Sequence, residues 1–325
     1  MLTFLVRALW RKLWTLVFIS IVSFGVIHLA PGQPSQIDPL NPRFTKEQLL
    51  RYRVAFDLDK PLYVQYRLFY QRLFSGELRS FKDNQPVLGK IAERAWNSLP
   101  LFLVGTILVW CYAFPLGIAS AVRRDSLFDR ATTVLVFALI SVPGFYLSYL
   151  GIIFVVETFQ VDVIGLRTFG QQAVGLLPRV MDRMWHLVLP SVLGATAGVA
   201  VLSLFVRSQM LEVIRSDYVR TARAKGLSED TVLYHHALRN GLLPFVTMLG
   251  LLIPGLIGGS VIFETIFAWP GIGRLGYEAI LGRDYPVVIA LNFIAAVLTL
   301  IGTLLSDVLY MVVDPRIRLE DGAGR

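Results

Sequence analysis

Six stretches of this chain carry no charge at all: residues 13–30, 99–122, 131–156, 187–206, 241–263 and 285–306. A bilayer hydrocarbon core is about 30 Å thick, and a helix of roughly 20 apolar residues crosses it. All six runs are at or near that length. The 31 basic and 23 acidic residues all lie outside them, with Asp307 directly after the last. One Lys, Arg or Asp at the centre of an inserted helix costs about 2.5–3.5 kcal/mol, which is the energetic cause of such segregation. A soluble protein with six buried core helices would need polar helices to cover them, and too little polar sequence is left. Composition agrees. Charged residues make up 17%, whereas soluble domains average about 25%. The chain reads as an all-α membrane protein of six transmembrane helices. It divides into residues 1–30 (N-terminus and first helix), 31–98 (an external subdomain) and 99–325 (the remaining five helices and their loops).

The first run follows Arg7, Arg11 and Lys12, as the apolar part of a signal peptide would. His28-Leu29-Ala30-Pro31 is a poor small-residue cleavage site. We expect a retained helix. Orientation follows from Lys and Arg, which accumulate on the cytoplasmic side. With the N-terminus inside, residues 1–12, 123–130, 207–240 and 314–325 hold 15 of them. The short external loops, 157–186 and 264–284, hold 5. The other 11 lie in 31–98, a segment long enough to translocate regardless of charge. Both termini are therefore expected in the cytoplasm. The net charge of +8 reads as a topology signal rather than a nucleic-acid footprint.

In the external segment, Thr45-Lys46-Glu47-Gln48 is a capping box that opens a helix through about Phe56. Pro61 suits the first turn of a second helix, with Leu62, Tyr66, Phe69 and Leu73 on one face and Gly76 beyond its end. Val87, Leu88, Ile91 and Ala95 form a third apolar stripe leading into the second span. This subdomain is either a cap packed on the outer mouth of the bundle or a docking surface for an external partner.

The 207–240 loop is polar and helical in pattern. Asp217 caps a helix through Lys225, and Gly226 ends it as a left-handed residue. Ser228 caps a second helix with Glu229 and Asp230 in its first turn, where the helix dipole favours acids. Arg239 and Asn240 close it before Leu243-Pro244. The sequence thus encodes two short helices hinged at a glycine and displayed beside the membrane.

Several motifs carry less than they spell. Gly271-Ile272-Gly273-Arg274-Leu275-Gly276 is G-x-G-x-x-G, but it follows a span rather than a strand. Its glycines suggest a tight external turn or re-entrant piece. No G-x-x-x-x-G-K-[ST] is present, so this chain lacks that means of cradling ATP phosphates. His235 and His236 are adjacent, and neighbours on a helix point about 100° apart, a poor chelate. Cys111 is the only cysteine. No catalytic set of a serine or metal intramembrane protease is visible. Asp307 suits a structural bond to a neighbouring helix or a coupling role. Pro115, Pro143, Gly144, Pro190, Pro254, Gly255, Gly258 and Gly259 permit kinks and close helix approach within the spans.

Three stretches resemble a known family. Residues 220–227 (Arg220-Thr221-Ala222-Arg223-Ala224-Lys225-Gly226-Leu227) through His236-Ala237-Leu238-Arg239-Asn240-Gly241-Leu242-Leu243-Pro244 are similar to the cytoplasmic coupling loop of ATP-binding-cassette importer permeases. Phe263-Glu264-Thr265-Ile266-Phe267-Ala268-Trp269-Pro270 with Gly271 to Gly276 and Arg283-Asp284-Tyr285-Pro286, and the terminal Asp314-Pro315-Arg316-Ile317-Arg318-Leu319, resemble other stretches of permeases in one branch of that family. The resemblance is to the dipeptide, oligopeptide and nickel branch. Where the broad importer pattern has Glu-Ala-Ala, this chain has Arg220-Thr221-Ala222, and its Leu-Pro pair lies farther from Gly226. Both departures belong to that branch.

The resemblance implies one half of a paired translocation pathway in a bacterial inner membrane, and no catalysis on this chain. It implies a second homologous permease subunit, two ATP-binding subunits carrying ATP and Mg, an external solute-binding protein, a peptide-like substrate and surrounding lipid. No cofactor or metal is expected on the chain itself. The coupling helix would be 218–226, with Tyr218, Arg220, Thr221, Ala222, Arg223, Lys225 and Gly226 at the ATPase. Arg220, Arg223 and Lys225 would meet acidic or polar groups there. Glu264 and Trp269 suit either an interfacial anchor or a pathway lining that meets a peptide amine. The competing class is a secondary transporter or channel working alone. It would need several charged groups inside the spans, and the sequence offers only Asp307.

Overall fold

The computed structural model describes residues 2–29, 46–168, 170, 175–242, 244–245, 248–249, 252, 255 and 260–313. Among them there are helices and no strand, apart from an isolated bridge between Arg79 and Pro86. The chain packs as two compact units. One comprises Met1–Ser98, Leu251–Val261 and Pro270–Leu304, and the other Leu99–Gly250, Ile262–Trp269 and Leu305–Arg325.

The first unit contains α1 (Leu2–Leu29), α2 (Lys46–Ala55), α3 (Leu62–Ser75) and the start of α4 (Val87–Val122). Pro61 precedes α3, and Gly76 closes it at φ +77°, a left-handed conformation that costs glycine little. Phe69 and Leu73 are buried as the stripe requires, but Leu62, expected on the same face, is exposed. It lies at the first position of α3, before the helix meets its neighbours. Val87 and Ile91 of α4 join Phe24 of α1, Phe69 and Leu73 in one apolar core. Two later helices of this unit contribute to it. Ile272, Leu275 and Ala279 come from α12 (Ile272–Leu281), and Tyr285, Val287 and Ile289 from α13 (Tyr285–Val313). Polar groups fix the seams. The Ser98 hydroxyl accepts the Ile272 N–H at 2.8 Å, and buried Asp284 accepts the Ser80 hydroxyl and the Phe81 N–H.

The G-x-G-x-x-G segment corrects one expectation. Gly271 stands in extended backbone before α12, and Gly273 and Gly276 lie inside the helix rather than in a left-handed turn. Gly273 is buried, and a Cβ on Gly276 would sit 3.6 Å from Leu291. The Gly276 distance is ordinary van der Waals contact.

The second unit contains the rest of α4, α5 (Leu127–Ser141), α6 (Gly144–Phe159), α7 (Leu176–Ile214), the short helices between residues 217 and 241, and α11 (Val261–Ile266). Glycine brings its long helices together. A Cβ on Gly117 would lie 2.6 Å from the Ser203 carbonyl oxygen, and one on Gly198 would lie 2.7 Å from Val109. Both imply close approach of α4 and α7.

Among the described residues, four helical stretches are long and apolar enough to cross a bilayer: Leu9–Leu29, Val87–Val122, Leu176–Ile214 and Tyr285–Leu309. The expected continuous span at 131–156 is instead two helices, α5 and α6, meeting at 94°. Pro143 has no N–H to continue the ladder, and its ring forces the preceding residue out of helical backbone. Val142 accordingly lies at φ −95°, ψ 120°. Counted as one bent span, the pair makes five. Eleven of the 23 residues of the expected span at 241–263 lie outside the described residues, as do Thr45, Pro254, Gly258, Gly259 and the 314–319 stretch.

Candidate functional site: the helices of residues 217 to 241

After α7 the chain turns at Arg215 and Ser216 into α8 (Asp217–Ala224). The N-cap position is Ser216 rather than Asp217. Its hydroxyl bonds back to the Val213 carbonyl at 2.6 Å, while Asp217 places its charge in the first turn. An acid there is favoured by the helix dipole.

The eight residues of α8 divide sharply by environment. Val219 is 0% exposed and Ala222 is buried, three residues apart on one face. They pack into a core with Ala121, Val206, Met210, Val232, Ala237 and Phe245. Burying a valine side chain contributes about 1.5–3 kcal/mol, so α8 is seated on the bundle rather than trailing from it. The opposite face is polar and open. Tyr218 is 42% exposed, and Arg220, Thr221, Arg223, Lys225 and Gly226 are all exposed. Arg220 makes only a loose 3.6 Å contact with Asp217.

Gly226 adopts φ +77°, and nothing lies within 4 Å of where a Cβ would be. The conformation itself, rather than crowding, accounts for glycine. Across this turn Arg223 donates from Nη2 and Nε to the two oxygens of Glu229, at 2.6 and 3.1 Å. These bonds hold the Glu229 carboxyl below its usual range and raise Arg223. Arg223, expected to face a partner's acids, therefore already holds one of its own. Sequence reading missed the pair. Opposite charges six residues apart across a helix-ending glycine were the available signal.

Ser228 stands before the next helix as expected, but its hydroxyl pairs with that of Thr231 at 2.8 Å. After α9 (Glu229–Thr231) the backbone winds as a π-helix over Val232–Leu238, then as α10 (Arg239–Gly241). Val232 and Ala237 are both 0% exposed. Five residues apart, they would diverge by about 140° on an α-helix, whereas i→i+5 winding brings them to one face. His235 and His236 fall within this turn, and no metal-binding cluster occurs among the described residues.

Glu264 and Trp269 come from α11 and the turn after it. The Trp269 N–H donates to the Glu264 carbonyl at 2.7 Å, and the two side chains are 0% and 1% exposed. Both are buried in this conformation.

A model of the binding-protein-dependent transport system inner membrane component matches residues 113–319, and its N-terminal companion matches residues 1–101. The chain belongs to that family. This transport-system permease is 38% identical over 319 residues to the oligopeptide transport system permease protein AppB of Bacillus subtilis, covering 98% of this chain and 99% of that one. It is 33% identical over 336 residues to the dipeptide transport system permease protein DppB of Escherichia coli K12 (98% and 99% covered). It is 34% identical over 322 residues to the glutathione transport system permease protein GsiC of Salmonella choleraesuis (98% and 100% covered). Its fold is similar to a chain of the inward-facing MetNI methionine ABC transporter, with a TM-score of 0.53 at 18% identity. That match covers 71% of this permease and 99% of that chain. As a permease component it is a multi-pass inner-membrane protein and not itself an enzyme. The family implies a partner permease, ATPase subunits and a binding protein.

Proposed function

We propose that this chain forms half of the translocation pathway of an importer for peptides or closely related solutes. Its support is full-length similarity to permeases named for oligopeptide, dipeptide and glutathione transport. Both termini are cytoplasmic, in keeping with the Lys and Arg distribution. A second homologous permease completes the pathway, and two ATP-binding subunits, which carry ATP and Mg, close beneath it. A solute-binding protein delivers cargo outside.

The observation that carries the coupling role is the two-faced α8, with Val219 and Ala222 buried beneath an exposed Tyr218, Arg220 and Lys225. A foreign surface gripping the outer face would move the bundle through the inner one. ATP binding then acts by favouring one bundle conformation over the other, since a ligand shifts an equilibrium only through differential affinity. Glu264 and Trp269 meet cargo only when the segment holding them opens.

Charge reversal tests this. Arg220→Glu with Lys225→Glu leaves membrane insertion intact and weakens retention of the ATP-binding subunit in pull-down at least tenfold. Wild-type retention by that double variant contradicts the proposal.

A further inference from the structure

Arg207 lies next to Val206, a residue whose side chain packs in the core that seats α8. Its guanidinium leaves α7 sideways. Nε donates to Oδ1 of Asp129 at 2.7 Å, and Nη2 donates to Oδ2 at 2.8 Å. Asp129 belongs to the first turn of α5 and is 3% exposed. Its Oδ2 also accepts the Asp125 N–H at 3.0 Å, and its own N–H donates to the Ser126 hydroxyl at 3.2 Å. Three hydrogen bonds thus converge on this buried carboxylate.

Two kinds of contact therefore leave the root of α8. Apolar surfaces join α7 to α4 where Val206 meets Gly117. Such attraction is non-directional and follows the apolar area buried. The planar two-bond fork to α5 fixes both distance and angle. From there α5 runs to the 94° elbow with α6 at Val142 and Pro143.

We propose that Arg207 and Asp129 are positioning residues that transmit displacement of the coupling helix to α5. The pair makes α5 move with α8 as one body during each ATP cycle. This rests on the reading that an ATP-binding subunit grips α8.

The test uses the complete importer in proteoliposomes, with Cys111→Ser and spin labels at exposed Leu127 of α5 and exposed Leu227 after α8. The label-to-label distance distribution is expected to stay unchanged between nucleotide-free and ATP-trapped states. Asp129→Asn is expected to let that distance shift, and to lower solute transported per ATP hydrolysed at least fivefold while ATP-subunit pull-down stays at the wild-type level. Arg207→Lys, which keeps the charge and loses the fork, is expected to fall between. A change in the wild-type distance on ATP trapping overturns the proposal, and that measurement does not depend on any variant folding. Wild-type transport per ATP in assembled Asp129→Asn overturns it equally. The reading beneath fails separately, if Arg220→Glu with Lys225→Glu leaves pull-down untouched.

Discussion

Arg223 holds both oxygens of Glu229 across the Gly226 turn, at 2.6 and 3.1 Å. The pair ties α8 to α9 and sets the angle of the helix that faces outward. A hinge glycine alone would leave that angle free.

Glu229→Gln keeps the shape and removes the charge. Both partners are more than a third exposed, so screening leaves the pair about 0.5 kcal/mol of stability. The expected result is a melting temperature unchanged within about 1 °C. Amide hydrogen exchange over 224–230 is expected to accelerate severalfold, because the local constraint is lost while the buried α8 seat is kept.

Gly117→Val tests the close packing of α4 on α7. Its Cβ would meet the Ser203 carbonyl oxygen at 2.6 Å and the Val206 Cβ at 2.7 Å. A backbone oxygen cannot step aside as a flexible side chain does. Overpacking of this kind costs about 3 kcal/mol. Gly105→Ala, with nothing within 4 Å, is the matched control. Thermal unfolding in detergent is expected to show a large loss for the first and little change for the second.

The α2–α3 segment has its own pH dependence. Asp57 is buried, which pushes its carboxyl up, but hydrogen bonds from Lys60 and Arg72 outweigh this and hold it below its ordinary value of 3.8. The ion pairs span 2.6 and 2.5 Å. A depressed carboxyl contributes stability above its unfolded value, and that contribution is lost as pH falls through its folded value. Resistance of α2 and α3 to proteolysis should therefore hold from pH 7 to pH 5 and fall only below 3.8. Asp57→Asn should cost about 1 kcal/mol at pH 7, discounted because Lys60 and Arg72 are more than a third exposed. The difference from wild type should vanish in strong acid.

Much of this was legible beforehand, for physical reasons that particular residues display. The left-handed turn at Gly226 and the end of α3 at Gly76 were readable because each encodes its own backbone. The Val87 and Ile91 stripe was readable because helical periodicity reports burial. The break at Pro143 was available in the chain, but an unbroken apolar run dominated the reading of 131–156. The π-helical turn and the Arg207–Asp129 fork were out of reach. Both depend on how separate helices meet, and no local pattern specifies which of many charges becomes a partner. Ser126-Leu127-Phe128-Asp129 does resemble a capping box, and Ser126 caps α5, but the Asp129 carboxylate serves both the Asp125 N–H and Arg207 of α7.

The most direct measurement is site-specific photo-cross-linking in the assembled importer. A photoreactive side chain replaces in turn Tyr218 and Arg220 on the open face of α8, and Val219 and Ala222 on the seated face. The account predicts adducts to an ATP-binding subunit from 218 and 220, and only intrachain products from 219 and 222. Adducts absent from the open face, in a sample that still hydrolyses ATP and transports solute, would contradict it.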